Sequence, residues 1–422
     1  MTLPGSPFLA YRGDDLYLDD VRLRDLTAQH GTPLYVYSKK AMLAALAPYH
    51  QALKGRPHLV CYAVKANSNL AVLQTFAQAG CGFDIVSAGE LARVLAAGGS
   101  PSKVVFSGVG KTRKEMELAL KAGVKCFNVE STAELEVLSQ VASALGLTAH
   151  ISLRVNPDVD AGTHPYISTG LKGNKFGVAH EEAVATYKRA ASLPGIHVAG
   201  IDCHIGSQIT EISPYLDALD RVLDLVESIE AAGVKIHHLD LGGGLGITYT
   251  DETPPRADEL IAALLTKIDA RGHGHREVMF EPGRSLVGNA GVLLTEVMFL
   301  KPGSQKNFCV VDAAMNDLMR PALYEAYMGI VNTQKRTEAS STWDVVGPVC
   351  ESGDWLGRDR ELAVQPGDVL AVLSAGAYGM TMASNYNTRG RAAELMVDGA
   401  QVHVIRERES VEDLFKHERL IG

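Results

Sequence analysis

Short apolar runs alternate with longer stretches of helical periodicity through most of the first 280 residues. The apolar runs at 59–64, 82–86, 103–106, 126–129, 150–155, 198–204, 236–241 and 277–280 read as buried strands. Between them, helical patterns cover 70–79, 88–97, 113–122, 132–145, 181–192, 214–232 and 257–270. Glycines stand at or just past many of the helix ends, at Gly80, Gly98, Gly123, Gly146, Gly233 and Gly272. Glycine there is a C-cap signature. Ser38 is placed to cap a further helix over 39–53. Eight strand–helix units in series match the count and length of a (β/α)8 barrel. An open doubly wound sheet is the alternative, because parallel units alone do not require closure.

The pattern differs on either side. Residues 1–32 are short and strand-like, with a hairpin of 16–18 and 21–23 turning at Asp19-Asp20, and 34–37 is a further strand. After Arg284 come short strands at 292–294, 297–300, 308–311, 343–346, 369–373, 394–397 and 401–404. Pro302-Gly303, Pro366-Gly367 and Asp398-Gly399 mark turns between them. The expected fold is α/β: a TIM-type (β/α)8 barrel over 34–284, and a β-rich, barrel- or sandwich-like domain from 1–33 and 285–422.

Composition narrows the function. Hydrophobic residues make up 46% and charged residues 21% of the 422, an ordinary globular balance. The net charge of −9 and the lack of a basic cluster argue against a nucleic-acid partner. Six cysteines, none in a Cys-x-x-Cys pair, fit a reducing compartment and no metal. No apolar run approaches membrane length and the first residues lack a signal pattern. A cytoplasmic protein is expected.

In a (β/α)8 barrel the chemistry lies on the loops after the strands. The strand ends here carry Lys65, Asp84 and Ser87, Ser107, Glu130, Arg154 and Asn156, His204 with Gly206 and Ser207, Gly242-Gly-Gly-Leu-Gly246, and Glu281 with Arg284. A lysine desolvated at such a mouth can lose its proton and form a Schiff base. The glycine run lets the backbone approach a phosphate, and phosphate sites in barrels favour the loops after strands seven and eight. Its spacing is not that of the dinucleotide fingerprint. Lysine, phosphate cradle and carboxylate together imply pyridoxal 5′-phosphate. Glu281 could pair with the pyridine nitrogen, and His204 could stack on the ring.

Five segments carry a resemblance: Tyr62-Ala-Val-Lys-Ala-Asn67, His204-Ile-Gly-Ser-Gln208, Gly242-Gly-Gly-Leu-Gly246, Glu281-Pro-Gly-Arg284 and Gly347-Pro-Val-Cys-Glu-Ser-Gly-Asp354. In these the chain resembles the fold-type III pyridoxal-phosphate decarboxylases, over nearly its whole length. His164-Pro-Tyr-Ile-Ser-Thr-Gly170 and Lys175-Phe-Gly177 point to the members that act on meso-diaminopimelate. The resemblance implies that Lys65 holds the cofactor, with His204 against its ring and Glu281 at its nitrogen. Ser207, Gly243, Gly244, Gly283, Arg284 and Tyr378 would bind its phosphate, and Asp84 and Arg154 complete the cofactor set. Arg284, Arg320 and Tyr324 would hold the substrate's distal carboxylate, with Tyr378 nearby. Cys350, as proton donor, and Glu351, on the distal amine, would come from the partner subunit of a homodimer.

Arginines suit a carboxylate and an acidic side chain suits an ammonium, so the substrate's second amino-acid end has chemically matched partners. An ornithine- or arginine-type decarboxylase would not need a second distal arginine, and Arg320 argues against it. A racemase would need a second base facing the lysine. A non-catalytic cofactor-binding regulator should have lost Lys65 or Cys350, and both are present.

Overall fold

The structure, a computed structural model, describes residues 2–159 and 175–422. The motif 164–170 lies outside the described residues. The chain forms two units: Leu46–Ile247 with Thr253–Ser285, and Met1–Ala45 with Thr248–Glu252 and Leu286–Gly422.

The first unit is a closed parallel barrel, so the open-sheet alternative is ruled out. Its strands are β1 His58–Ala63, β2 Gly82–Ile85, β3 Val104–Phe106, β4 Cys126–Val129, β5 Ala149–Asn156, β6 Ile196–Asp202, β7 His238–Asp240 and β8 Glu277–Phe280. Each pairs with its sequence neighbour, and β8 returns to β1 through Val278↔His58 and Phe280↔Val60. The outer helices are α1 Leu70–Gln78, α2 Ala88–Ala96, α3 Arg113–Ala122, α4 Thr132–Leu145, α5 His180–Ser192, α6 Ser213–Ala231 and α7 Ala257–Ala270. They match the periodicity to within a residue or two. Their entries are fixed by side-chain caps: Asn69 Oδ1 accepts the Ala71 N–H at 2.9 Å, Ser87 and Ser131 do the same at α2 and α4, and Thr112 with Glu115 forms a capping box. Gly123 and Gly146 end α3 and α4 in the left-handed conformation, which costs glycine nothing. After β8 only a short helix follows, Arg284–Val287, so the eighth unit has no full outer helix of its own.

The second unit is built on a nine-stranded sheet. The strand Leu34–Ser38, expected to open the barrel domain, lies inside this sheet instead. It pairs with Gly291–Lys301 on one side and Ala393–Asp398 on the other. Five successive buried residues suit it to a sheet centre, whereas a barrel strand would need a helix packed outside it. Ser38 caps the next helix, Lys39–Ala52, by accepting the Ala41 N–H at 3.0 Å. The two strands expected at 292–294 and 297–300 are one long strand, Gly291–Lys301, irregular between Val297 and Phe299. Leu9, Leu16 and Leu18 share a core with Val292, Leu373 and Leu395, so the N-terminal residues belong with this sheet. The hairpin at Asp19-Asp20 forms as read, but Leu23–His30 is a helix where strand was expected. Only Leu23 and Leu26 of that helix are fully buried, which is too short a pattern to show its period. Among the described residues no helix is long and apolar enough to cross a membrane.

Candidate active site

Lys65 lies two residues beyond β1, in the helical turn Val64–Ala66. Three local interactions hold that turn. Tyr62 donates its hydroxyl to the Asn67 carbonyl at 2.9 Å, and its ring stacks on Phe76 of α1 with centroids 4.3 Å apart. The Ala63 N–H donates to Pro282 O at 3.0 Å, which ties the turn to the loop after β8. The Lys65 Nζ then reaches Asp84 Oδ2 at 2.7 Å. Asp84 is fully buried on β2, whereas the lysine side chain is 39% exposed. The amine is thus anchored by a buried carboxylate.

Around it stands a ring of charge. Arg154 on β5 pairs with Glu130 at 3.2 Å and donates to the His204 carbonyl at 3.4 Å. Burial, then Arg154 and Lys65, holds the His204 pKa well below the usual histidine range, so its imidazole is neutral. Its Nδ1 accepts the Gly243 N–H at 3.1 Å, which places the ring proton on Nε2. Glu281 is buried after β8, and burial followed by Asp240 pushes its carboxyl well above the usual range.

The loops after β6, β7 and β8 interlock. A Cβ on Gly243 would lie 2.2 Å from the Glu281 carbonyl oxygen. One on Gly244, where φ is +100°, would lie 2.5 Å from the Gly206 carbonyl oxygen. Only glycine lets the three loops approach this closely. Arg284 donates from Nε and Nη2 to Ser207 Oγ at 3.3 and 3.0 Å, and Gly283 fits against Ala63 and Ala66. Lys65, Asp84, Arg154, His204, Ser207, Gly243, Gly244, Glu281, Gly283 and Arg284 therefore all lie at the carboxyl end of one barrel.

The other expected residues belong to the second unit. Arg320 and Tyr324 are the ends of the helix Arg320–Tyr324, and the guanidinium sits 5.6 Å from the tyrosine ring centroid. Tyr249 flanks the same guanidinium at 5.5 Å, a contact the sequence reading lacked. Cys350 and Glu351 are exposed on a loop pinned by buried Asp354, which accepts the Met315 and Val349 N–H groups at 2.7 Å each. Asn387 accepts the Cys350 N–H at 3.0 Å, and the Tyr386 hydroxyl bonds to the Glu351 carboxylate. Tyr378 has φ of +54°, a conformation a tyrosine holds only when its surroundings impose it.

Three further residues escaped the sequence reading. Asp202 ends β6, Asp240 ends β7, and Asn128 lies in β4. Oxygens of Asp202, Asp240 and Glu281 lie within 4.8 Å of one another. The aspartates read as ordinary strand-ending polar residues, and only the register of β6, β7 and β8 reveals that they lie beside Glu281.

These groups fit pyridoxal phosphate: an amine at a strand end, a neutral histidine, a buried carboxyl and a glycine-lined loop with a serine and an arginine. Comparison with known proteins agrees. Residues 40–288 match the family model described as "Pyridoxal-dependent decarboxylase, pyridoxal binding domain". The chain is 58% identical over 412 residues to a diaminopimelate decarboxylase of Pseudomonas aeruginosa, covering 98% of this chain and 99% of that one. Among solved structures, diaminopimelate decarboxylase from M. jannaschii in complex with L-lysine is 39% identical with a TM-score of 0.94, covering 99% of each chain. The Helicobacter pylori enzyme with L-lysine is 41% identical with a TM-score of 0.90, covering 94% of this chain and 99% of that one. The chain belongs to the pyridoxal-dependent decarboxylases, and within that family to the diaminopimelate decarboxylases.

Proposed function

We propose that this protein decarboxylates meso-2,6-diaminopimelate to L-lysine and CO2, the last step of lysine synthesis, with pyridoxal 5′-phosphate on Lys65. The observation that carries this is the Lys65–Asp84 pair at a barrel mouth that also holds buried Glu281, in a chain so closely matched to diaminopimelate decarboxylases. When bound, the cofactor supplies an electron sink for the pair of electrons left by CO2.

The chain's own residues do the rest. Asp84 orients the Lys65 amine. Neutral His204 supports the ring face without adding a second positive charge, and Arg154 steadies its backbone. Glu281 would hold the ring nitrogen of the bound cofactor. Ser207, Gly243, Gly244, Gly283 and Tyr378 bind the phosphate together with Arg284, whose contact with Ser207 supports that role over its second role on the distal carboxylate. Arg320 and Tyr324 grip the distal carboxylate, and Glu351 takes the distal ammonium. The Cys350 thiol delivers a proton to the carbon that lost CO2. Cys350 and Glu351 act from the partner subunit of a homodimer. The enzyme works in the cytoplasm on a small molecule, without nucleic acid or membrane.

The test is CO2 release from meso-diaminopimelate, ornithine and arginine supplied separately. Release from diaminopimelate alone is expected, and preference for ornithine or arginine would overturn the assignment. Borohydride reduction should fix the cofactor to the peptide containing Lys65. Mixed Lys65→Ala and Cys350→Ala proteins should regain part of the activity if subunits share sites.

A further inference from the structure

Five carboxylates gather at the carboxyl ends of the barrel strands: Asp84, Glu130, Asp202, Asp240 and Glu281. Two have a cation of their own, Lys65 on Asp84 at 2.7 Å and Arg154 on Glu130 at 3.2 Å. Asp202, Asp240 and Glu281 have none within salt-bridge distance among the described residues, yet all three are buried with oxygens within 4.8 Å of one another. Strand register enforces this, because Asp202 pairs directly with Asp240 between β6 and β7. On its other side Asp202 pairs with Arg154, whose guanidinium is already engaged by Glu130.

Few donors reach the three. The Gly242 N–H reaches Asp240 Oδ1 at 3.0 Å and Asn128 Nδ2 reaches Glu281 Oε1 at 3.3 Å. Asp202 Oδ1 and Asp240 Oδ2 are buried with no hydrogen-bond partner among the described residues. Three ionised carboxylates this close, shielded from water and short of donors, repel too strongly to coexist. The group therefore carries at least one proton, as paired carboxyls do elsewhere. The other charged groups facing it have fixed partners: Lys65 and Asp84 from β1 and β2, Glu130 and Arg154 from β4 and β5. The thiols Cys61 and Cys203 are buried and stay protonated.

We propose that Asp202, Asp240 and Glu281 act as one acid, which holds a proton in the cofactor-free protein and gives it up to solvent when the ring nitrogen of pyridoxal phosphate comes to pair with Glu281. This rests on the functional reading above, in which Glu281 meets that nitrogen. The step is balanced: an O–H bond of the group breaks, its proton passes to the buffer, and the carboxylate left on Glu281 would pair with the ring nitrogen, which enters already protonated near neutral pH. Asp202 and Asp240 touch no ligand in this scheme. They are positioning residues that make Glu281 hold its proton at neutral pH.

Two measurements test this. Infrared spectra of the cofactor-free wild type above neutral pH should show the carbonyl stretch of a protonated carboxyl, where isolated carboxyls are ionised. Calorimetric titration of pyridoxal phosphate in buffers of different ionisation enthalpy counts protons exchanged with solvent. Asp240→Asn should weaken the infrared band and release about one proton fewer than the wild type on binding. Asp202→Asn should move both readouts the same way, and it serves should Asp240→Asn not fold. A wild type without the band, or variants with the wild-type proton count, would overturn the inference. Failure of the functional reading looks different, since a wild type that gives no binding heat still has its infrared band measured.

Discussion

The barrel and the sheet unit hold their candidate site residues in contrasting ways. In the barrel Asp84, Arg154, Glu281 and Arg284 are each at most 7% exposed, and strand register sets their positions. Burial, then the neighbouring Asp240, pushes the Glu281 carboxyl up. In the sheet unit Cys350 and Glu351 are exposed on a loop, and Asn387 and Tyr386 hold them through single hydrogen bonds. Arg320 stands between these cases, 6% exposed and packed on two tyrosines. Groups that tune the cofactor need a dry, fixed field. Groups that choose a substrate can ride on a loop, provided a few contacts hold it. The contrast predicts a gradient of mutational effects that falls with exposure and with the number of partners.

The largest effect belongs to Lys65. Lys65→Ala should lower kcat by about 10⁴-fold, the upper end of what one positioned proton-transfer group contributes, because in the proposed scheme the amine also anchors the cofactor. Steady-state assays at saturating cofactor check this. A loss under tenfold would show that another amine does the work.

Next comes Arg320. A charge-assisted bond to a desolvated carboxylate is worth roughly 2–5 kcal/mol, or about 30- to several-thousand-fold. Arg320→Ala should lower kcat/KM for diaminopimelate by that factor and weaken inhibition by lysine in parallel. Cofactor content, read from the absorbance of the purified protein, should hardly change. A variant that loses its cofactor would move Arg320 out of the substrate clamp.

That order follows what the sequence made legible. Continuous apolar runs and capped helices gave the barrel, because strand burial and helix period are local properties of the chain. The lysine, the glycine run and Glu281 stood out because their residue types are unusual at strand ends. Asp202 and Asp240 did not, since an aspartate ending a strand is ordinary and its partner on the next strand lies 38 residues away. The strand Leu34–Ser38 was assigned to the wrong unit for the same reason. Its pattern marks it as buried, but the partners that bury it come from 291–301 and 393–398. Tyr249, too, reaches Arg320 only through the folded insertion of Thr248–Glu252 into the sheet unit.

The buried group sharpens the comparison through stability. Burial raises the Asp240 carboxyl from 3.8 to about 6, although the Gly242 hydrogen bond opposes this. A carboxyl whose folded pKa is raised stabilises the fold below its unfolded pKa, and that contribution is lost as pH rises through the folded value. Between about pH 4 and pH 7 the cofactor-free protein should lose on the order of 3 kcal/mol through this residue. Asp240→Asn should flatten that dependence and raise stability at neutral pH, the opposite of most core substitutions. Denaturant melts of the cofactor-free protein at a series of pH values check it. An unchanged slope would show that Asp240 is ionised in the fold.

The smallest effect tests the exposed side of the contrast. Tyr386 is 44% exposed, and its hydroxyl bonds to the Glu351 carboxylate. Water can replace that hydroxyl, so the bond adds little to binding by itself. Its use is to limit the rotamers of Glu351, which is meant to receive the distal ammonium. Tyr386→Phe keeps the ring and removes only the donor. KM for diaminopimelate should rise about two- to fivefold, the range of one ordinary hydrogen bond, with kcat unchanged. Ground-state and transition-state binding would then be weakened equally, as expected of a group that acts only on the distal ammonium. If kcat fell in step with kcat/KM, Tyr386 would act on the chemical step through its neighbour Cys350, and this loop would join the barrel residues as part of the reacting centre.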